Sequence, residues 1–225
     1  MSDEFDPSTD FQSVTDGLET VTLSIAGEDD QEITSAHRNQ ATGKQPEPAG
    51  GDVKQGDTVW QWPVSASTRP PLGSTITDGD GEVWTILGLD RQVLGAKYSA
   101  TCRNLAVEAR LDTLVVIQQA TYAKDSHGEA IPTWADLYTD VRAKVQPIAK
   151  TPEVEFDADT TDQTYRIILA ADLAVTPAAD LRVVDSDGNL YRVDDYQQPE
   201  RIDALPVIEA TWIGTQSTSS SSSGG

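Results

Sequence analysis

The side chains of this chain that could do chemistry are mostly carboxylates, and three groups of them have suggestive spacing. Asp78-Gly79-Asp80-Gly81 and Asp185-Ser186-Asp187-Gly188 set two acids beside glycine, as a calcium loop does. A helix-loop-helix calcium site also needs a third acid and a closing bidentate glutamate at fixed spacing. Neither segment has them. Both read as hairpin turns in which Asp80-Gly81 and Asp187-Gly188 supply the positive φ of a tight reversal. The third group, Glu153, Glu155, Asp157, Asp159 and Asp162, could hold the paired carboxylates of a glycoside hydrolase. Its aromatic neighbours are few, Phe156 and Tyr165, and it reads better as a solvated loop acting by charge and reach.

The remaining candidates point away from catalysis. His37 and His127 lie far apart in sequence, so no histidine pair has metal spacing. Cys102 is the single cysteine, which excludes an internal disulfide, and its place in an apolar strand reads as core. No nucleophile elbow, Walker loop or dinucleotide fingerprint occurs. The expectation is a non-enzyme with no cofactor and no metal.

Charge narrows the partners. The net charge is −21, with 17 acids against 7 bases in residues 1–107 and 20 against 9 in residues 108–225. Without a basic block the chain has no grip for a phosphate backbone or an anionic lipid surface. An acidic surface repels DNA, which suits a protein that DNA must slide past; solubility or a saline host would explain the acidity as well. The acidic N-terminus has no apolar run of the secretory type, and no stretch is long enough to span a membrane, so the expected place of synthesis is a cytoplasm.

The elements that would position these residues are strands. Leu18 to Ile25 alternates apolar and polar residues, and Thr58 to Val64, Val83 to Leu89 and Lys97 to Leu105 follow as strands. Residues 26–57 read as a long loop with room for a short helix around Ile33 to Asn39. The pattern then restarts: strands at Leu111 to Ile117 and Val141 to Ile148, with a turn over 121–133 between them, then the acidic loop. Tyr165 to Ala171, Leu181 to Val184, Leu190 to Tyr196 and Val207 to Ile213 are the last strands. Gly17 to Val21 matches Arg110 to Leu114, Thr75 to Ile86 matches Arg182 to Val193, and Ala100-Thr101-Cys102 matches Ala210-Thr211-Trp212. Matches in one order mark a tandem duplication. The fold class is mainly β: two tandem small β-barrel or sandwich-like domains with long loops and few short helices. The expected layout is a flexible acidic arm (1–16), a first β-domain (17–107), a second (108–213) and a Ser/Gly tail (214–225). Trp60 and Trp62 share one strand face, which is either core or a subunit interface; with Trp134 they are the candidate interface aromatics.

The second copy carries a family resemblance. Tyr122, Asp125, Gly128, Pro132 and Trp134 form a spaced hairpin pattern. Val141-Arg142-Ala143-Lys144-Val145-Gln146-Pro147, Tyr165-Arg166-Ile167 and the segment Asp180 to Val193 follow in order. This order resembles the head–tail connector, or stopper, proteins of tailed bacteriophages, over residues 111–213. The resemblance implies a small β-barrel that forms a homo-oligomeric ring in the virion neck, between the portal or adaptor and the tail proteins. It also implies that the loop from Ile148 to Gln163 projects into a channel and helps retain or pass DNA without binding it specifically. Carboxylates there would keep exiting DNA from sticking. The first-copy counterpart of that loop would lie within Asn39 to Asp57. The competing reading is a tail or host-surface module that binds glycan or receptor through exposed aromatics such as Trp60 and Trp62.

Overall fold

The computed structural model describes residues 16–41, 47–49, 52–92, 95–148, 163–170, 173 and 180–216. They form two compact units. One comprises residues 1–108 with 200–204, the other residues 109–199 with 205–225.

The first unit is a closed six-stranded barrel. Its strands are β1 (Leu18–Ser24), β2 (Gln31–Gln40), β3 (Thr58–Pro63), β4 (Thr75–Thr77), β5 (Val83–Gln92) and β6 (Lys97–Arg103), followed by one helical turn, α1 (Leu105–Glu108). The circular order is β1-β2-β3-β6-β5-β4. Alternate residues point inward, so Val21, Leu23, Ile33, Trp60, Trp62, Ile76 and Ile86 meet in one core. The short helix around Ile33 to Asn39 is not there. That segment is β2, whose Ile33 and Ala36 are fully buried against the barrel while its backbone pairs with β1 on one side and β3 on the other. A closed barrel leaves no spare edge, and the demand for a sixth strand overrides the weak local signal.

The second unit repeats the architecture with β7 (Thr113–Lys124), β8 (Ala130–Pro147), β9 (Thr164–Leu169), β10 (Leu181–Asp185), β11 (Asn189–Gln197) and β12 (Val207–Thr215). Its circular order, β7-β8-β9-β12-β11-β10, is that of the first barrel strand for strand. Val115, Ile117, Ile167, Leu169, Val183 and Ile208 form the core.

Pairing corrects two of the sequence matches. Ile86 faces Cys102 across β5 and β6, Gly88 faces Thr101, and Leu87 bulges between. In the second barrel Val193 faces Ala210, Asp195 faces Glu209, and Asp194 bulges. The bulge recurs at the same place, so the counterpart of Cys102 is Ala210, two residues before Trp212. Burial agrees: Cys102 and Ala210 are both fully buried, whereas Trp212 is 42% exposed. In the first strands, Leu23 faces Ile76 and Ile117 faces Val183, so Val21 corresponds to buried Val115 and not to exposed Leu114. A slip of one residue turns every side chain to the other face. Gly17 and Arg110, matched in sequence, do share a left-handed backbone (φ 74° and 55°) just before these strands.

Candidate assembly surfaces of the second barrel

The Asp-Gly hairpins are built by an acid that sequence reasoning passed over. Asp80 and Asp187 point outward from their turns; the working carboxylates are Asp78 and Asp185, two residues earlier. Asp185 Oδ1 accepts hydrogen bonds from the backbone N–H of Asp187 (3.0 Å) and Asn189 (2.9 Å), while Gly188, at φ 80°, donates to the Asp185 carbonyl (3.0 Å). Asp78 does the same for Asp80 (3.1 Å) and Glu82 (2.9 Å), with Gly81 at φ 81°. The second oxygen of each carboxylate holds the aromatic six residues on. Trp84 Nε1 donates to Asp78 Oδ2 (2.9 Å), and the Tyr191 hydroxyl donates to Asp185 Oδ2 (2.9 Å). Burial and the Asp185 hydrogen bond push the Tyr191 hydroxyl well above the usual tyrosine range. Asp125 builds a third turn of this kind, accepting from His127 and Glu129 N–H (both 2.8 Å) with Gly128 at φ 85°. These turns thus use their carboxylates on their own backbone, and no cluster of three metal-type ligands occurs among the described residues.

The Asp125 turn caps the largest departure from expectation. Residues 121–133 are not a simple turn. β7 and β8 run on in register from Gln118–Asp136 out to Lys124–Ala130, past the point where β7 last pairs with β10 at Gln119–Leu181. The result is a two-stranded ribbon projecting from one end of the barrel. Its outer face is fixed by Trp134. The Arg182 guanidinium lies 4.2 Å from the Trp134 ring centre and donates to Gln118 Oε1 (2.7 Å), and Gln118 donates to Asp136 (2.6 Å). Desolvation against the ring lowers the Arg182 pKa, and Asp136 opposes it. Farther out, the Tyr122 hydroxyl donates to Asp180, and that hydrogen bond raises its pKa.

The opposite end of the barrel carries a different set. Ile148 N–H bonds to Thr164 carbonyl, Thr164 faces Thr211, and Trp212 N–H bonds to Gln163 carbonyl. The rim that holds Ile148 and Gln163 therefore carries Ile148, Trp212 and Ile213, all substantially exposed. Glu153, Glu155, Asp157, Asp159 and Asp162 themselves lie outside the described residues.

Trp60 and Trp62 are not interface residues of this chain. Both are fully buried in the first barrel, where Trp62 packs on Tyr98 at 5.7 Å and donates to Ser67 Oγ (2.8 Å). Their shared strand face is the inward one, so they offer no platform to a glycan. Also unforeseen was a buried ion pair beneath α1: Arg103 Nε and Nη2 donate to Asp57 at 2.6 and 2.8 Å. The Asp57 hydrogen bond raises the Arg103 pKa. Cys102 is core, its thiol pushed up by burial and then by Asp57. No helix among the described residues is long and apolar enough to cross a membrane.

Comparison with known proteins agrees with the boundary of the second barrel. The family model described as phage head completion protein matches residues 108–211. A search of curated proteins found no match. The matched span runs from the end of α1 into β12, ending at Thr211, and so takes in the projecting ribbon and the acidic residues Glu153 to Asp162. Residues 108–211 are thus similar to the phage head completion protein family, and that likeness supports a phage head-related structural role for the second barrel.

Proposed function

We propose that the chain is a head–tail connector of the virion neck. In this reading copies assemble as a homo-oligomeric ring between the portal or adaptor and the tail, and DNA passes through that ring without specific binding. The observation that carries it is the family match over residues 108–211, which takes in β7 to β11 and the first half of β12. The polarity of that barrel supports it. A connector must meet one neighbour above and another below, and exposed apolar residues stand at both strand ends: Tyr122 and Ile131 on the ribbon, Ile148, Trp212 and Ile213 on the far rim. In sequence the acidic residues Glu153 to Asp162 fall between Ile148 and Gln163 of the far rim, and their charge would repel DNA at the channel. The shared strand order, bulge position and aspartate–aromatic lock support an origin of the two barrels by tandem duplication. The first barrel would then be an added docking module.

Virions assembled without this chain test the reading. The expected result is heads that package DNA, then lose it and stay tailless, seen by electron microscopy and by nuclease-protected DNA. Heads that keep their DNA and join tails normally would overturn it. Replacing Glu153, Glu155 and Asp157 together by Ala tests the loop: DNA retention or ejection is expected to change, and unchanged behaviour removes the loop from the mechanism.

A further inference from the structure

The ribbon has two faces of opposite character. Gln118, Ala120, Tyr122, Pro132, Trp134 and Asp136 share the face that Arg182 and Asp180 cover. The other face consists of Gln119, Thr121, Ala123, Ile131, Thr133 and Ala135. It continues the register that turns Val115 and Ile117 into the barrel core, so it has the parity of a core face but lies past the rim. Five of the six are exposed, Ile131 at 52%. None of the six is charged, in a chain whose net charge is −21.

We propose that this bare ribbon face is the surface by which the chain packs against a second copy of itself. The proposal deepens the ring reading above and rests on it. Charge selects the occupant. Two copies that each carry −21 repel across most of their surfaces, so they can approach most readily where neither a carboxylate nor its hydration must be displaced. The face, not the edge, makes the contact. Asp125 N–H bonds inward to Glu129 carbonyl, and counting back in alternation turns the nitrogen of Pro132 outward. Having no N–H, Pro132 blunts that edge against strand addition. The Arg182–Trp134 stack holds the ribbon in one pose before contact, which lowers the ordering cost of association.

Sedimentation of the full chain at rising salt, with a variant and a crosslinker, tests this. At 1 M salt the Debye length falls to about 3 Å, so a contact between acidic copies through an uncharged face strengthens as salt rises. Ile131→Glu is expected to weaken association at least tenfold at low salt, with part of the loss recovered at 1 M, and to keep its circular dichroism because Ile131 is exposed. Cys102 is buried, so a single exposed thiol can be placed cleanly. A maleimide–diazirine probe on Thr133→Cys is expected to capture another copy of this chain, and the same probe on Thr20→Cys is not. If the wild type assembles and Ile131→Glu assembles equally well, the ribbon proposal falls and the ring reading stands. If the wild type stays monomeric at every salt concentration, both fall. Capture of a different virion protein from assembled particles overturns the second-copy assignment alone.

Discussion

Four donors converge on the carboxylate of Asp78: the N–H groups of Asp80 and Glu82, Trp84 Nε1, and Arg38 Nη1 at 3.0 Å. Its side chain is nearly buried, so removing it strands donors away from water. Asp78→Ala is expected to cost about 2–4 kcal/mol in urea unfolding, while Asp80→Ala stays within about 0.5 kcal/mol because Asp80 points to solvent. Equal losses for the two would show that the turn, and not the carboxylate, holds the hairpin. Tyr191 gives a pH counterpart. Its hydroxyl titrates above the ordinary value of 10.0 in the folded chain. Below pH 10 it is neutral in both states, and its stabilising contribution is complete. Above that pH the unfolded chain ionises first, so stability falls as pH rises. Tyr191→Phe should flatten this alkaline fall, measured as the midpoint of unfolding from pH 9 to 12. At this scale the sequence showed where the turns lie, because Asp-Gly announces positive φ. It did not show which acid works, because a capping carboxylate is chosen by its distance to two N–H groups, and Asp78 and Asp80 look alike as letters.

The ribbon is the element that separates the two barrels. β1 and β2 join over Ile25 to Asp30, whereas β7 and β8 extend past the rim and close on the Asp125 turn. Its residues read as a turn because Asp125, His127, Gly128 and Pro132 crowd a short stretch, yet Ala120, Tyr122 and Ala123 carry the strand on beyond the barrel. A projecting strand has no core to impose the apolar alternation by which strands are recognised. The same absence of alternation left Ile33 to Asn39 open to a helical reading, although there the barrel supplies both neighbours. Because the ribbon extends past the ladder with β10, the barrel core should not depend on it. Joining Thr121 to Thr133 through Asn-Gly keeps a hydrogen-bonded pair across a two-residue turn. The shortened chain is expected to unfold within about 1 kcal/mol of the wild type, judged by urea titration, and to lose salt-strengthened association. A collapse of the second barrel would make the ribbon part of its fold and not a surface.

At the scale of the molecule, the chain sets two closed cores of one strand order in tandem, and they differ in what they expose. The first keeps Trp60 and Trp62 fully inside, while the second carries Trp212 at 42% exposure and the ribbon. The recurring strand order was legible because its turns and core positions recur. The register of β1 and β6 was not, because bulges shift pairing by one residue without altering residue type. Two cores, each with its own buried set, should unfold as two cooperative units. Trp60, Trp62 and Trp84 all lie in the first barrel, and the first two lose the most shielding on unfolding. Tryptophan fluorescence in urea should therefore follow mainly the first barrel, while far-ultraviolet circular dichroism follows both. Asp78→Ala is expected to move the fluorescence transition to lower urea. Asp185→Ala should leave that transition in place and move the remaining dichroism change. One shared transition, displaced equally by either substitution, would show that the two barrels fold as a single unit.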